Sequence, residues 1–291
     1  MVSVVIATYR RDTTLRRAIQ SVLEQTYRET EIIVVDDNND PAWNKRVESV
    51  MAQFPQENIR YFQNREHLGS GATRNVGIAH AAGEFVTFLD DDDYYLPPKI
   101  EHQLEDLIKS EADFSITDLF LYDETEKVIS KRIRGYLHGD DRESLFQAHL
   151  IHHLTGTDTF LFRKAYLTAI GGFPGIGVGD EFYLMKEAIC GGGKFRYTPG
   201  CYVKAYVHRG ESDGLSSGPG KIRGENDLFA YKKRFFDQID GRARRYICAR
   251  HHAVLAFAYW RMNAYGRFLF EALAAFFVSP VSCLKIVTGS E

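Results

Sequence analysis

Two hydrophobic periodicities alternate over roughly the first ninety residues, and this constrains the fold more than any other feature of the chain. Val2 to Ala7 reads VSVVIA, a nearly continuous apolar run suited to a strand buried on both faces. Leu15, Ala18, Ile19, Val22 and Leu23 then recur at helical spacing behind a capping candidate, Asp12 or Thr13, which predicts an amphipathic helix packed on the sheet. The unit repeats. A strand over Ile32 to Val35 precedes a helix with Trp43, Val47, Val50, Met51 and Phe54 on one face, and a strand over Ile59 to Phe62 follows. A helix from about Ala72 to Ala82 is stopped by Gly83, ahead of a strand over Glu84 to Leu89. Strand alternating with helix implies a doubly wound parallel sheet, whose ligands bind beyond the carboxyl ends of the strands.

From Phe114 the pattern is mixed, with short strands expected over Phe114 to Tyr122, Thr157 to Phe162 and Tyr202 to His208, and a helix from near Asp180. The Gly/Ser cluster from Gly210 to Gly220 reads as a mobile loop, and helices follow to the end. Composition at 44% hydrophobic and 26% charged excludes disorder, collagen and a disulfide scaffold. Cys190, Cys201, Cys248 and Cys283 form no CxxC pair and are expected as free thiols in a reducing cytoplasm. The first strand starts directly after Met1, so no signal peptide is expected, and the apolar stretches near the C-terminus are too short for a membrane span.

The chemistry concentrates in FLDDDDYYLP, where Asp90 to Asp93 sit at the end of an apolar strand. Four adjacent carboxylates raise one another's pKa unless a cation neutralises them, and Mn²⁺ or Mg²⁺ with bound phosphate is the natural partner. The competing reading is a solvated acidic turn; position at a strand end favours function. Asp36 and Asp37 follow a second apolar strand at the same sheet edge, where an acid can accept hydrogen bonds from a ribose or a base, or cap a helix. HLIHH (His149, His152, His153) lacks the acid of a zinc helix motif and reads as a polar helix face. Gly191 to Gly193 reads as a helix stop.

In order and spacing, VSVVIATYRR, AIQSVLEQTYRETEIIVVDDNND, GSGATRNVGIAHAAGEFVTFLDDDDYYLPPKIEHQ, FRKAYLTAIGGF and GDEFYLMKEA resemble the family 2 glycosyltransferases, over roughly residues 2 to 200. The resemblance implies a GT-A fold: an α/β, doubly wound mixed sheet flanked by helices, here with a helical C-terminal extension. It also implies a domain over residues 1–220, with a nucleotide-binding half about 1–110 and an acceptor half about 111–220, ahead of the extension at 221–291. It implies nucleotide contacts at Ala7, Thr8, Tyr9, Asp37, Arg74 and Asp91. Metal contacts are implied at Asp92 and Asp90, with the register within the quartet open, and His208 is a candidate to complete them. The family commonly has Pro where Ala7 stands, which bears on loop rigidity. The general base falls at Asp180 or Glu181; Asp180 is favoured, although relatives more often read Glu-Asp where this chain reads Asp-Glu. Either acid would also suit a helix N-terminus.

The implied activity is inverting transfer from a nucleotide-sugar, UDP-sugar first, to a saccharide or lipid-linked acceptor. No nucleic-acid partner is expected. A sugar nucleotidyltransferase would want a glycine-rich loop after the first strand, and ATYRRDTT has none. The third alternative, a non-catalytic carbohydrate-binding scaffold, sits poorly with intact acids at the metal and base positions. Residues 242 to 285 carry seven Lys/Arg against one acid, with Phe, Trp and Leu interleaved. Two readings follow for this tail: contact with an anionic membrane at its cytoplasmic, inner face, or a helical lid or oligomer surface.

Overall fold

The computed structural model describes residues 1–137, 141–176, 179–207 and 218–288. They form two compact units, residues 1–145 with 154–209 and residues 146–153 with 210–291.

The first unit opens as the alternation predicts: β1 (Val2–Thr8), α1 (Thr13–Leu23), β2 (Thr30–Asp36), α2 (Pro41–Met51), β3 (Ile59–Gln63), α3 (Ser70–His80) and β4 (Phe85–Phe88). Asp12 is the cap of α1, its side chain accepting from the Thr13 N–H. β2 and β4 are buried along their whole length, and β1 at all but Ala7, which explains why their sequences do not alternate. The unit continues with β5 (Tyr94–Tyr95), α4 (Lys99–Lys109), β6 (Phe114–Tyr122), β7 (Val128–Arg132), α5 (Arg142–His152), β8 (Phe160–Arg163), α6 (Lys164–Ala169), α7 (Asp180–Cys190) and β9 (Phe195–Tyr206). The last residues of α5 belong to the second unit.

The sheet order is β3-β2-β1-β4-β8-β6-β9-β5, with β7 paired to β6. The first four strands are parallel, and β8 enters antiparallel to β4 and β6, so the sheet is mixed. The chain leaves β1 toward β3 on one side and returns to β4 on the other. The order therefore reverses between β1 and β4, whose carboxyl ends flank the crevice that such a switch point creates.

Two strands differ from the sequence reading. Thr157–Thr159 is a 3₁₀ turn, and β8 begins only at Phe160. β9 starts at Phe195, well before Tyr202, because the strand passes through Pro199 and Gly200 while its register with β6 shifts. A Pro-Gly pair ordinarily marks a turn, which hides such a strand.

Close approach fixes α3 against the sheet. A Cβ added at Gly77 would collide with Val5, so only glycine lets this helix lie so near β1. Val4, Ile6, Ile19, Ile32, Val34, Leu104 and Leu161 belong to the core cluster of this unit. Each such side chain contributes on the order of 1.5–3 kcal/mol by leaving water.

The second unit contains α8 (Gly218–Lys233), α9 (Gly241–Arg261), α10 (Tyr265–Val278) and α11 (Pro280–Thr288). Asp240 caps α9, accepting from the Arg242 and Ala243 N–H groups. Ala243, Ile247, Ala249, Ala253, Leu255 and Ala256 are the buried side of α9. The HLIHH run is not the solvated polar face that its composition predicts. His149 is fully buried, and His153 Nε2 meets Lys232 Nζ and lies 3.1 Å from Arg250 Nη1. Burial and these cations push the His153 pKa well down.

The four cysteines are free thiols. Among the described residues, no helix is long and apolar enough to cross a membrane.

Candidate active site

The carboxyl ends of β1, β2 and β4 bring the acid clusters together. β1 and β2 run in register to Thr8 and Asp36, the Asp37 N–H donates to Thr8 O at 2.9 Å, and the Leu89 N–H donates to Val5 O at 3.0 Å. The turn holding Asp90 to Asp93 begins there.

Its four carboxylates are held from different directions, with Arg11 reaching two of them, Asp91 Oδ1 at 3.5 Å as well as Asp92. Asp91 accepts from Thr8 Oγ1 at 2.7 Å and from the Tyr9 N–H at 3.3 Å, which ties the turn to the end of β1. Burial, with Asp92 alongside, pushes the Asp91 pKa up to about 7. Asp92 pairs with Arg11 Nη1 at 2.5 Å, and its carbonyl accepts from Arg17 Nη2 at 2.7 Å. Asp90 pairs with Arg74 Nη2 at 2.6 Å. Asp93 accepts from the Tyr206 N–H at 2.8 Å and shares a hydrogen bond with Asp158.

Asp158 lies in the 3₁₀ turn before β8 and accepts from the Asp90 N–H at 2.6 Å. One oxygen each from Asp90, Asp93 and Asp158 lie within 4.8 Å of one another. Burial, then Asp90, pushes Asp158 up to about 7; burial, then Asp158, pushes Asp93 well above the usual carboxylate range. Three oxygen donors with more negative charge than their neighbours compensate fit a hard divalent cation, and they fit poorly with a soft one. Asp92 is outside this triad, and His208 lies outside the described residues.

Arg74 joins the turn to α7. Its guanidinium is buried, reaches Asp90 on one side and Asp180 Oδ2 at 3.2 Å on the other, and lies 5.3 Å from the Phe173 ring centroid. Asp180 Oδ2 also accepts from Ser70 Oγ at 3.0 Å, and Oδ1 accepts from the Glu181 N–H at 2.9 Å. A Cβ at Gly71 would sit 2.7 Å from Asp180 Oδ2 and displace this carboxylate from its place beside Ser70 and Arg74. Neighbouring Glu181 is half-buried, and burial followed by the charge of Asp180 pushes it up to about 7.

Asp37 organises the rim. It accepts from the Leu68 and Gly69 N–H groups and from Asn64 Nδ2, each at 2.8 Å, and His67 Nδ1 lies 2.9 Å away. The His67 ring is 4.4 Å from the exposed ring of Tyr9. Asp36, by contrast, is wholly buried under Tyr61, Asn38 and Asn44. Ala7 is half-buried and pairs with Val35 through the backbone.

The structure thus unites Thr8, Tyr9 and Asp91, and separately Arg74, Asp90, Asp180 and Glu181, along one sheet edge. Sequence reasoning did not mark Asp158, His67, Ser70 or the counter-ions Arg11 and Arg17. The TGTD turn was the one available signal for Asp158.

A family model described as glycosyl transferase family 2 matches residues 3–168. This chain belongs to that family. It is 31% identical over 166 residues to the GalNAc(5)-diNAcBac-PP-undecaprenol beta-1,3-glucosyltransferase of Campylobacter jejuni, covering 57% of this chain and 52% of that one. The chain spans about half or less of the length of the curated relatives it matches. Residues 1–349 of S. aureus TarS, solved in complex with UDP-GlcNAc, superpose with a TM-score of 0.60 at 16% identity, covering 95% of this chain and 91% of that one. The mannosyltransferase PcManGT from Pyrobaculum calidifontis, in complex with GDP-Man and Mn²⁺, gives a TM-score of 0.63 at 17% identity, covering 99% and 79%. These likenesses show the GT-A fold, a mixed α/β sheet flanked by helices with further helices toward the C-terminus.

Proposed function

We propose that the chain transfers a sugar from a nucleotide-sugar, a UDP-sugar first, to a hydroxyl of a saccharide carried on a lipid diphosphate, with inversion at the anomeric carbon. The observation that carries this reading is Arg74, whose one guanidinium holds Asp90 of the acid turn and Asp180 of α7, so that donor-side and base-side acids share one crevice. The lipid-linked acceptor is taken from the names of relatives, and such an acceptor would bring the protein to the inner face of a membrane.

In this reading Tyr9 and Asp37 hold the nucleobase at the rim and Asp91 the ribose. Asp90, with Asp93 and Asp158 behind it, would hold a Mn²⁺ or Mg²⁺ ion, whose chemistry when bound is to stabilise charge on the departing diphosphate. Asp92 remains the alternative ligand, and its pairing with Arg11 weighs against it.

We assign the base to Glu181, although the family resemblance favours Asp180. Both oxygens of Asp180 are already engaged, Oδ2 by Arg74 and Ser70 and Oδ1 by the Glu181 N–H, so its acceptor capacity is committed within the protein. Glu181, pushed up to about 7, matches what proton transfer at neutral pH asks of a carboxylate. Glu181 takes the acceptor's proton as that oxygen attacks, Arg74 keeps Asp180 in place, and no covalent intermediate forms.

The test is a panel of UDP-, GDP- and dTDP-sugars with and without MnCl₂. The expected result is metal-dependent release of UDP that a lipid-diphosphate saccharide accelerates, giving a product of inverted anomeric configuration. Pyrophosphate formation from a sugar phosphate and UTP would assign nucleotidyl transfer instead, and binding of sugars without turnover would assign a scaffold.

A further inference from the structure

The second unit exposes an apolar surface that its own fold leaves uncovered. Only Ala275 of α10 is buried, although eleven of the fourteen residues in YGRFLFEALAAFFV are Phe, Leu, Ala, Val or Tyr. Phe270 is 69% and Phe277 78% exposed; with half-exposed Leu273 they fall at i, i+3 and i+7, one stripe along the helix. Leu269 and Phe276 widen it, and Val281 and Leu284 of α11, Phe257 and Trp260 of α9 and Tyr265 are also exposed. Contiguous apolar exposure of this extent marks an interaction site.

Beside it, between α9, α10 and α11, lies a cavity of about 350 Å³ lined by Ala253, Phe257, Trp260, Phe268, Ala272 and Cys283, among others. That volume lies at the small end of ligand pockets, and its lining is almost free of hydrogen-bonding atoms, so it suits a hydrocarbon chain.

Charge identifies the occupant of the surface. Arg261 at the end of α9, Arg267 of α10 and Lys285 of α11 are exposed, and Glu271, the one acid between residues 242 and 285, is tied to His252 Nδ1 at 2.7 Å. The surface therefore shows cations and aromatic rings with its carboxylate turned to a partner. A second copy of the same chain would bring like charge against like charge, whereas an anionic bilayer is complementary. A helix of 14 residues extends about 21 Å, less than the roughly 30 Å of a hydrocarbon core, so α10 can lie in the interface and cannot span it.

We propose that α10 and α11 dock on an anionic lipid surface, with Phe270, Leu273 and Phe277 inserted among the acyl chains, Arg267 and Lys285 at the headgroups, and one acyl chain entering the cavity beside Trp260. This stands on the second unit alone and does not depend on the donor chemistry proposed above.

The test uses the full chain with vesicles of phosphatidylcholine, with and without about one third phosphatidylglycerol. The expected result is co-sedimentation with the anionic vesicles, weakened about tenfold or more both by 0.5 M NaCl and by F270D/F277D. Trp43→Phe leaves Trp260 as the one tryptophan, since the chain has two, and its emission should shift to the blue and be quenched by brominated acyl chains. That reading decides the matter if F270D/F277D does not fold. Absence of sedimentation at 0.1 M NaCl, equal affinity for neutral vesicles, or an unquenched Trp260 would overturn the proposal. A dimer in solution that F270D/F277D dissociates, with no vesicle affinity, would overturn it in favour of a second copy.

Discussion

The two units depart from the usual partition of polar and apolar groups in opposite directions. In the first, Asp91, Asp93, Asp158 and Asp180 are buried, and Arg74 is buried with them. In the second, Phe270, Phe277, Val281 and Leu284 face solvent. Each departure costs free energy in the isolated chain, the first by desolvating charge and the second by wetting hydrocarbon. A fold under selection for stability alone would remove both, so the difference teaches where to look for partners: something cationic and polar for the first unit, something apolar for the second.

The largest effect should come from the pair of acids that head α7. Glu181→Gln keeps size and removes the base, and transfer should fall by about two to four orders of magnitude with UDP binding nearly unchanged. Asp180→Asn should instead weaken binding of the donor as well, because it frees Arg74 from one of its two anchors. Steady-state kinetics on both variants checks this: a collapse of kcat confined to Asp180→Asn, with Glu181→Gln near normal, would return the role of base to Asp180.

Next comes the metal. Asp158→Asn should reduce Mn²⁺ affinity by at least about 10–100-fold, the loss that follows when even an outer partner of a ligand is removed, and calorimetric titration of Mn²⁺ in the presence of UDP reads it directly. If Asp92→Asn has that effect and Asp158→Asn does not, the ion sits on the outer side of the turn, where Arg11 now lies.

What the sequence made legible follows from the range of the interactions. The aspartate turn could be found because an apolar run ending in four acids is a local pattern, and β1, β2 and β4 because burial on two faces writes itself into consecutive residues. The partnership of Arg74 with Asp180, 106 positions apart, has no local trace. Asp158 was hidden because TGTDTF reads as the start of a strand, and β9 because Pro199 and Gly200 read as its absence. The tail shows the converse: it reads as helical and is helical, yet its apolar residues give no sign that Leu269, Leu273, Phe276 and Phe277 stay exposed. Burial of a helix face depends on the neighbour, which the face itself does not encode.

A smaller effect separates the acids by pH. Glu181 has its pKa raised to about 7, first by burial and then by the charge of Asp180. As pH falls through 7 the carboxylate takes up a proton and can no longer accept one, so kcat/KM should decline on the acid side with a midpoint near 7. Asp180→Asn removes the charge that is the larger cause after burial, and the midpoint should move to lower pH. The same sign governs stability: a carboxyl raised above its unfolded value of about 4.3 stabilises the fold fully below that pH, and the contribution is lost as pH rises through 7. A midpoint that stays in place in Asp180→Asn would break the link between the two acids.

The smallest effect is the one that contrasts the units most directly. Leu161 of β8 belongs to the first unit's core cluster, only 1% exposed, and Leu161→Ala should cost about 2–5 kcal/mol in a denaturant titration, the sum of lost burial and a cavity. Phe277 is a larger side chain, yet it is 78% exposed and has little burial to lose. Phe277→Ser should therefore change stability by no more than about 0.5 kcal/mol, the range for surface substitutions. With anionic vesicles present the ranking should invert for affinity: Phe277→Ser weakens binding, and Leu161→Ala, at a temperature where it stays folded, leaves it unchanged. Destabilisation of several kcal/mol by Phe277→Ser in the absence of lipid would mean that this side chain is already covered in solution, and the contrast between the two units would then lie in the identity of the covering surface rather than in exposure.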